Sequence, residues 1–182
     1  LLGQNVNAYG KDLKMEDGFT QLLVAVAKTG IERISFYTSH PRDYSETTID
    51  AMRDYPNIMP FLHLPVQSGS DEVLRRMARG YTVERYKQLY DNLKKKVPHI
   101  AFTTDLIVGF PNETDEEFEA TLDLVRYCRF DMAYAFIYSP RAGTPAANME
   151  DNIPLEVKKE RLARLNELLT EIAEENNRHF LG

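Results

Sequence analysis

Polar residues and glycines collect where the apolar runs of this chain end. Gln67-Ser68-Gly69-Ser70 closes the run PFLHLPVQ, and Ser70-Asp71-Glu72 then reads as a helix start with an acidic first turn. Free N–H groups at a helix start can receive an anion or a carboxylate, while plain capping by Ser70 explains the same residues. Gly109 ends the run IAFTTDLIVG and stands before Phe110-Pro111. A glycine there lets a flat ring approach the backbone, with Ile107 and Phe110 as apolar walls, or simply makes a turn before proline. Gln4-Asn5, Ser39-His40 and Ser139-Pro140-Arg141 end other runs. Asp105 is a carboxylate expected to point inward. It needs a partner, and Arg33 is a candidate, so an ion pair comes first and a ligand contact second. Arg75, Arg76 and Arg79 are expected on one helical arc, with Lys94-Lys95-Lys96 ending the next helix. They could meet phosphates, or form a solvated face with lysines suited to a helix C-terminus. No two histidines have ligand spacing, so no protein-only metal site is expected. His63 is expected inside as a hydrogen-bonded core residue, and His99 and His179 on the surface. The single cysteine, Cys128, forbids an internal disulfide or a CxxC knuckle and is expected as a small core residue; a reducing cytoplasm is the default location.

The elements that must position these residues alternate. Strands are expected over Ile31–Ser39, Pro60–Gln67, Ile100–Gly109 and Asp131–Ser139, rich in β-branched and aromatic residues. Leu1-Leu2-Gly3 looks like the tail of an earlier strand. Helices are expected over about Asp17–Lys28, Ser45–Asp54, from Ser70 onward, over Thr82–Lys96, from a capping box at Thr114 to about Arg126, and from Pro154 to about Phe180. The last is amphipathic, with Leu162, Leu165, Leu168, Leu169 and Ile172 on one face. Pro140–Ile153 is the long irregular stretch.

That order predicts an α/β fold of five βα units, the first truncated, with a parallel sheet and right-handed crossovers. Leu62, Leu64 and Val66 share one strand face; Phe102, Thr104, Leu106 and Val108 share another; Ile34 and Phe36 share a third. The opposite faces carry Arg33, Tyr37, His63, Gln67 and Asp105, which suits a barrel or part-barrel with a wet interior rather than a sheet buried on both sides. The site of such a fold lies at the carboxyl ends of the strands.

Composition fits a soluble globular domain: 182 residues, 43% apolar and 27% charged. No apolar run approaches the ~20 residues of a membrane span, and no signal peptide is visible. The chain lacks an initial Met and is expected to be cut from something longer. The net charge of −6 speaks against a large nucleic-acid face, although an acidic total can carry a local basic patch.

Long strings across the chain, in order, resemble the radical-SAM methylthiotransferase family: LLGQNVNAYG, TSHP, FLHLPVQSGSDEVLRRMARGYT, TDLIVGFPNET and FIYSPRAGTPAA. TSHP with PVQSGSDEVLRRM is closest to the MiaB branch, which modifies tRNA; a sibling branch modifies a ribosomal protein. The resemblance implies a partial parallel (βα)6 TIM-like barrel of the radical-SAM type, here lacking its first strand, over 1–153, and a helix over 154–182 leading toward an absent RNA-binding module. It implies a transferase that adds a methylthio group to isopentenyl-adenosine next to the anticodon. It also implies S-adenosylmethionine and two 4Fe-4S clusters in the full-length parent, through a deoxyadenosyl radical. The cluster cysteines are not in this chain, so the fragment is expected to hold no iron and to be inactive, with no catalytic or metal residue of its own. Cofactor contacts are implied for Gln4, Asn5, Ser39, His40, Gln67, Ser68, Gly69, Ser70, Asp105, Ile107, Gly109 and Phe110, and tRNA contacts for Arg75, Arg76, Arg79 and Arg141. No membrane partner is expected; the sheet edge left open by the missing strand could self-associate. Two other readings stay open. A complete TIM-like lyase or aldolase would need an inner-face lysine, which none of the four readable strands has, and a non-catalytic RNA- or protein-binding module would bind tRNA by itself.

Overall fold

The computed structural model describes residues 1–37 and 39–178. Thr38 of the TSHP string, His179 and the expected helix end at Phe180 lie outside them. The chain divides into two compact units. The first is Leu1–Pro65 with Gln88–Thr103; the second is Val66–Lys87 with Thr104 onward.

In the first unit, helix α1 (Gly18–Ala27) packs on α2 (Glu46–Asp54). Ser45 caps α2 as expected, its hydroxyl accepting the Thr48 N–H. Strand β1 (Phe61–His63) pairs in parallel with the start of β2 (Ala101–Val108), Leu62 opposite Phe102. The core gathers Leu23, Phe36, Ile49, Leu62 and Leu64, with Phe19 edge-on to Phe36 at 5.2 Å. Each such side chain contributes about 1.5–3 kcal/mol on full burial.

Among the described residues of the expected strand Ile31–Ser39, no strand forms. Its backbone pairs in scattered pieces: Ile34 with Asn57 and Met59, Ser35 and Tyr37 with Leu1. Among the described residues the result is an isolated bridge, Ile34 to Ile58. Its alternation holds in part: Ile34 and Phe36 are buried and Arg33 and Tyr37 exposed, but Ser39, expected to share their side, is buried. The strand expected over Pro60–Gln67 is likewise cut to three residues. Pro65 has no N–H for a ladder and Gln67 sits at φ +72.

In the second unit, α3 (Asp71–Arg76) starts at Ser70, whose hydroxyl accepts the Val73 N–H. Helix α4 (Val83–Lys96) begins here, α5 (Asp115–Cys128) follows β2, and β3 (Met132–Ile137) leads to α6 (Leu155–Asn177). Among the described residues three strands, in the order β1-β2-β3, thus stand where more were expected. Helix α6 packs on both β3 and α5. Its Leu165 and Ile172 are buried, as are Val66, Leu74, Leu106, Val108 and Phe118. Cys128 is buried in the core, and a short 3-10 turn at Pro145–Asn148 interrupts the irregular stretch.

The Thr114 capping box is complete: its hydroxyl accepts the Glu117 N–H and Glu117 accepts the Thr114 N–H. Thr114→Ala is expected to lower stability by about 1 kcal/mol, read from the urea midpoint. A shift of nil would mean that Glu117, held by other contacts, keeps the helix end closed alone.

Candidate functional site

Alternation along β2 decides which side chains reach open space. Thr104, Leu106 and Val108 are wholly buried, so Asp105 and Ile107 project from the other face. They line a cavity of about 650 Å3 in the second unit. Gln67 joins them because its backbone is tied on both sides: its N–H donates to Asp105 O and its carbonyl accepts the Ile107 N–H, each at 2.9 Å. At φ +72 this non-glycine residue occupies a sparsely populated conformation that turns it out of line with its neighbours. Phe110, just beyond β2, and Tyr138, just beyond β3, stand edge to face at 5.0 Å as an aromatic corner. The buried Tyr138 hydroxyl has no hydrogen-bond partner. Phe136, Arg141 and the Thr144–Ala146 segment complete the wall opposite Arg76–Arg79.

The three arginines do not form one arc. Helix α3 ends at Arg76, and Ala78 turns to φ +55. Arg75 is exposed and pairs with Glu72 at 2.8 Å. Arg76 makes a two-pronged pair with Glu117, at 3.0 and 2.6 Å, and reaches the Asn112 carbonyl. Desolvation pushes the Glu117 carboxyl up, but the Arg76 and Thr114 donors outweigh it and hold it below the usual range. Arg76 is therefore neutralised in place. Arg79 lies beside Tyr81, its guanidinium 5.9 Å from the ring centroid. Of the expected phosphate contacts, Arg76, Arg79 and Arg141 line the cavity and Arg75 does not. The α4 lysines serve the helix end: Lys96 bridges Glu46 and Asp50, and Lys94 donates to Ile100 O.

Other expected contacts turn out to be packed against protein. The Ser68 hydroxyl lies by that of Thr121, the Gly69 N–H donates to Thr121 Oγ1 at 2.9 Å, and Ser68 and Ser70 are buried. Gly109, at φ +69, faces the Lys158 side chain: a Cβ there would lie 2.5 Å from Lys158 Cγ. The strand-end glycine thus makes room for a lysine stem.

In the first unit, Gln4 is exposed and the Asn5 amide donates to Asp43 at 2.7 Å. His40 Nδ1 accepts the Arg42 N–H, capping the 3-10 turn Pro41–Asp43. Burial raises the Asp43 carboxyl, yet donors from Lys11, Asn5 and Arg42 carry it down to about 2. The Ser39 hydroxyl is buried without a partner, and His63 hydrogen-bonds to Thr103 at 2.9 Å.

One assembly escaped the sequence. Arg161 donates to Glu113 and Asp115, Glu113 accepts the Gly109 N–H at 2.8 Å, and Lys158 pairs with Asp151. Together they brace the turn that carries Phe110. The available signal was two cations, Lys158 and Arg161, placed on the face of α6 that also carries Leu165 and Ile172.

The family profile described as the Radical SAM superfamily matches residues 3–125. The chain is 55% identical to the tRNA-2-methylthio-N(6)-dimethylallyladenosine synthases of Geobacillus kaustophilus and of Bacillus subtilis, across its whole length. It covers 34% and 36% of those proteins, about a third of their length. Coproporphyrinogen III oxidase from Escherichia coli, described as a Radical SAM enzyme, superposes with a TM-score of 0.64 over 84% of this chain and 37% of its own, at 22% identity. That likeness shows the fold, a parallel α/β arrangement in keeping with a partial TIM-like barrel.

Proposed function

We propose, because this chain belongs to the Radical SAM superfamily, that it supplies the S-adenosylmethionine-binding part of a tRNA methylthiotransferase acting on an isopentenyl-adenosine. The carrying observation is the cavity of the second unit. It gathers Gln67, Asp105, Ile107 and Phe110, on the cofactor side of the reading, with Arg76, Arg79 and Arg141, on the substrate side. The names of the 55% identical relatives supply the substrate class.

The residues present suit the nucleoside half of the cofactor. Ile107 and the Phe110–Tyr138 corner offer apolar walls to an adenine ring. The Tyr138 hydroxyl, buried and unpartnered, offers a polar atom at that wall, and Gln67 and Asp105 can take ribose hydroxyls. When bound, the cofactor supplies reductive carbon–sulfur cleavage for hydrogen abstraction. The chain's own work is to bind it, orient it and keep water from it. Arg79 and Arg141 add positive charge at the wall for a phosphate of the substrate. Iron–sulfur clusters do not fit the described residues. Among them no three His, Cys, Asp or Glu side chains are grouped to hold a metal, and Cys128 is buried. Cluster ligands would come from the remainder of a protein of the relatives' length. No helix of the described residues is long and apolar enough to cross a membrane.

The test is calorimetric titration of S-adenosylhomocysteine into this chain. Saturable binding is expected, and Ala146→Trp, which fills the cavity from a half-buried lip position, should weaken it at least about tenfold with the far-UV spectrum unchanged. Equal affinity in the variant would reject this cavity. For the whole reaction, a protein of the relatives' length containing this chain, reconstituted with iron and sulfide, should add methylthio mass to isopentenylated tRNA. Failure to do so would reject the substrate class.

A further inference from the structure

The first unit holds a second cavity, of about 300 Å3, that the reading above does not use. That is the lower end of the range for small-molecule sites. Asn7 lines it from the 3-10 turn Val6–Ala8. Asn7 is 6% exposed, and neither its amide nitrogen nor its amide oxygen has a hydrogen-bond partner. Buried polar groups are almost always paired, so a side chain with both ends unpaired points to a group that brings an adjacent donor and acceptor.

The charges around Asn7 narrow the chemistry. Asp43 is spent on Asn5, Lys11 and Arg42. Asp17 is spent on the hydroxyls of Thr20, Ser45 and Thr47. What remains is Lys11 and Arg42, each with a side chain 58% exposed and further N–H donors unspent, and the ring of Tyr9, 47% exposed. An amide edge, an accessible aromatic face and two cations match the parts of a nucleotide. An Asn amide pairs with a base edge, an aromatic ring stacks on a base, and Lys and Arg hold phosphate.

We propose that this cavity binds one nucleotide, with Asn7 on the base edge, Tyr9 on the base face and Lys11 and Arg42 on the phosphate. The nucleotide is either free or one unit of an RNA strand. The inference does not rest on the cofactor reading, because it uses other residues in the other unit.

The probes are AMP, adenosine and a single-stranded tetra-adenylate, titrated into the chain in low salt. AMP is expected to bind, and Asn7→Leu to weaken it at least about tenfold, with a thermal midpoint equal to or above that of the parent, since it removes an unpaired buried amide without changing the shape much. Arg42→Ala should weaken AMP and leave adenosine unchanged. Tyr9→Ala, at an exposed position, should weaken both. Ala146→Trp, which fills the other cavity, should leave AMP binding intact, so that failure of the cofactor reading and failure of this one are separable. A tetra-adenylate at least tenfold tighter than AMP supports an RNA unit; equal affinities support a free nucleotide. Three results would each overturn the proposal: no saturable binding of AMP or of the tetra-adenylate, AMP affinity untouched by Asn7→Leu, or a fall in that variant's thermal midpoint, which would make Asn7 structural.

Discussion

Arg161→Met is expected to cost the second unit about 3–5 kcal/mol at neutral pH, the usual penalty for stripping one partner from a buried ion pair. The Arg161 side chain is 7% exposed and that of Glu113 is 1% exposed, and they meet at 2.8 Å. The same guanidinium donates to the Glu113 carbonyl at 3.1 Å and to Asp115 at 2.6 Å. Methionine keeps the stem and loses all of these. Burial already raises the Glu113 carboxyl above its ordinary value, against the pull of the Gly109 N–H and Arg161. Its folded form therefore holds a proton more tightly than its unfolded form, and its contribution to stability falls as pH rises from the unfolded value through the folded one. Without Arg161 the carboxyl rises further and that window widens upward. The variant should thus lose less at pH 4 than at pH 7, measured as paired urea unfolding curves. Glu113→Gln added to Arg161→Met should recover much of the loss, because no buried charge is then left alone. A pH-independent deficit under about 1 kcal/mol would show that water reaches Glu113 and that the pair braces nothing.

The legible parts of this fold were those governed by near neighbours. Ser45, Ser70 and Thr114 each reach an N–H three residues ahead, so the pattern alone revealed them. The two faces of β2 followed from alternation, which is why Asp105 and Ile107 could be assigned to the open side. The failures came from partners distant in sequence. Residues 31–39 have strand chemistry, but the segments that flank them, Leu1 and Asn57–Met59, offer only scattered bonds. The arginine arc failed at Ala78, whose left-handed conformation carries no glycine to announce it. Gly109 suggests an opening toward a flat ring, yet the atoms that fill it belong to Lys158, and the Gly69 N–H that a helix start offers to an anion is taken by Thr121 of α5. A glycine reports that something comes close without reporting what.

Gly69→Ala is expected to destabilise the second unit strongly. A Cβ at this position would lie 2.3 Å from the Ala120 carbonyl oxygen and 2.5 Å from Thr121 Cα. Both are main-chain atoms in the middle of α5, so no rotamer change can relieve them. The helix would have to retreat by about an ångström, while its far side is packed on α6 and its first turn is tied to Arg161 and Arg76. Overpacking typically costs about 1–3 kcal/mol where side chains can yield, and a rigid backbone contact belongs at or above that upper end. Retreat would also stretch the bond from the Gly69 N–H to Thr121 Oγ1. Gly143→Ala is the control. Unlike Gly69 it sits at positive φ, +84, but it has nothing within 4 Å of its Cβ, so it should cost only the left-handed penalty of about 1–2 kcal/mol. Urea midpoints of the two variants separate crowding from conformation. Thr121→Ala should not rescue Gly69→Ala, because it shortens a side chain and leaves the clashing main chain in place. Equal losses for Gly69→Ala and Gly143→Ala, or a rescue by Thr121→Ala, would mean that α5 can move away from the turn. In that event Gln67, two residues upstream at the cavity wall, would be less firmly held than its two backbone bonds suggest.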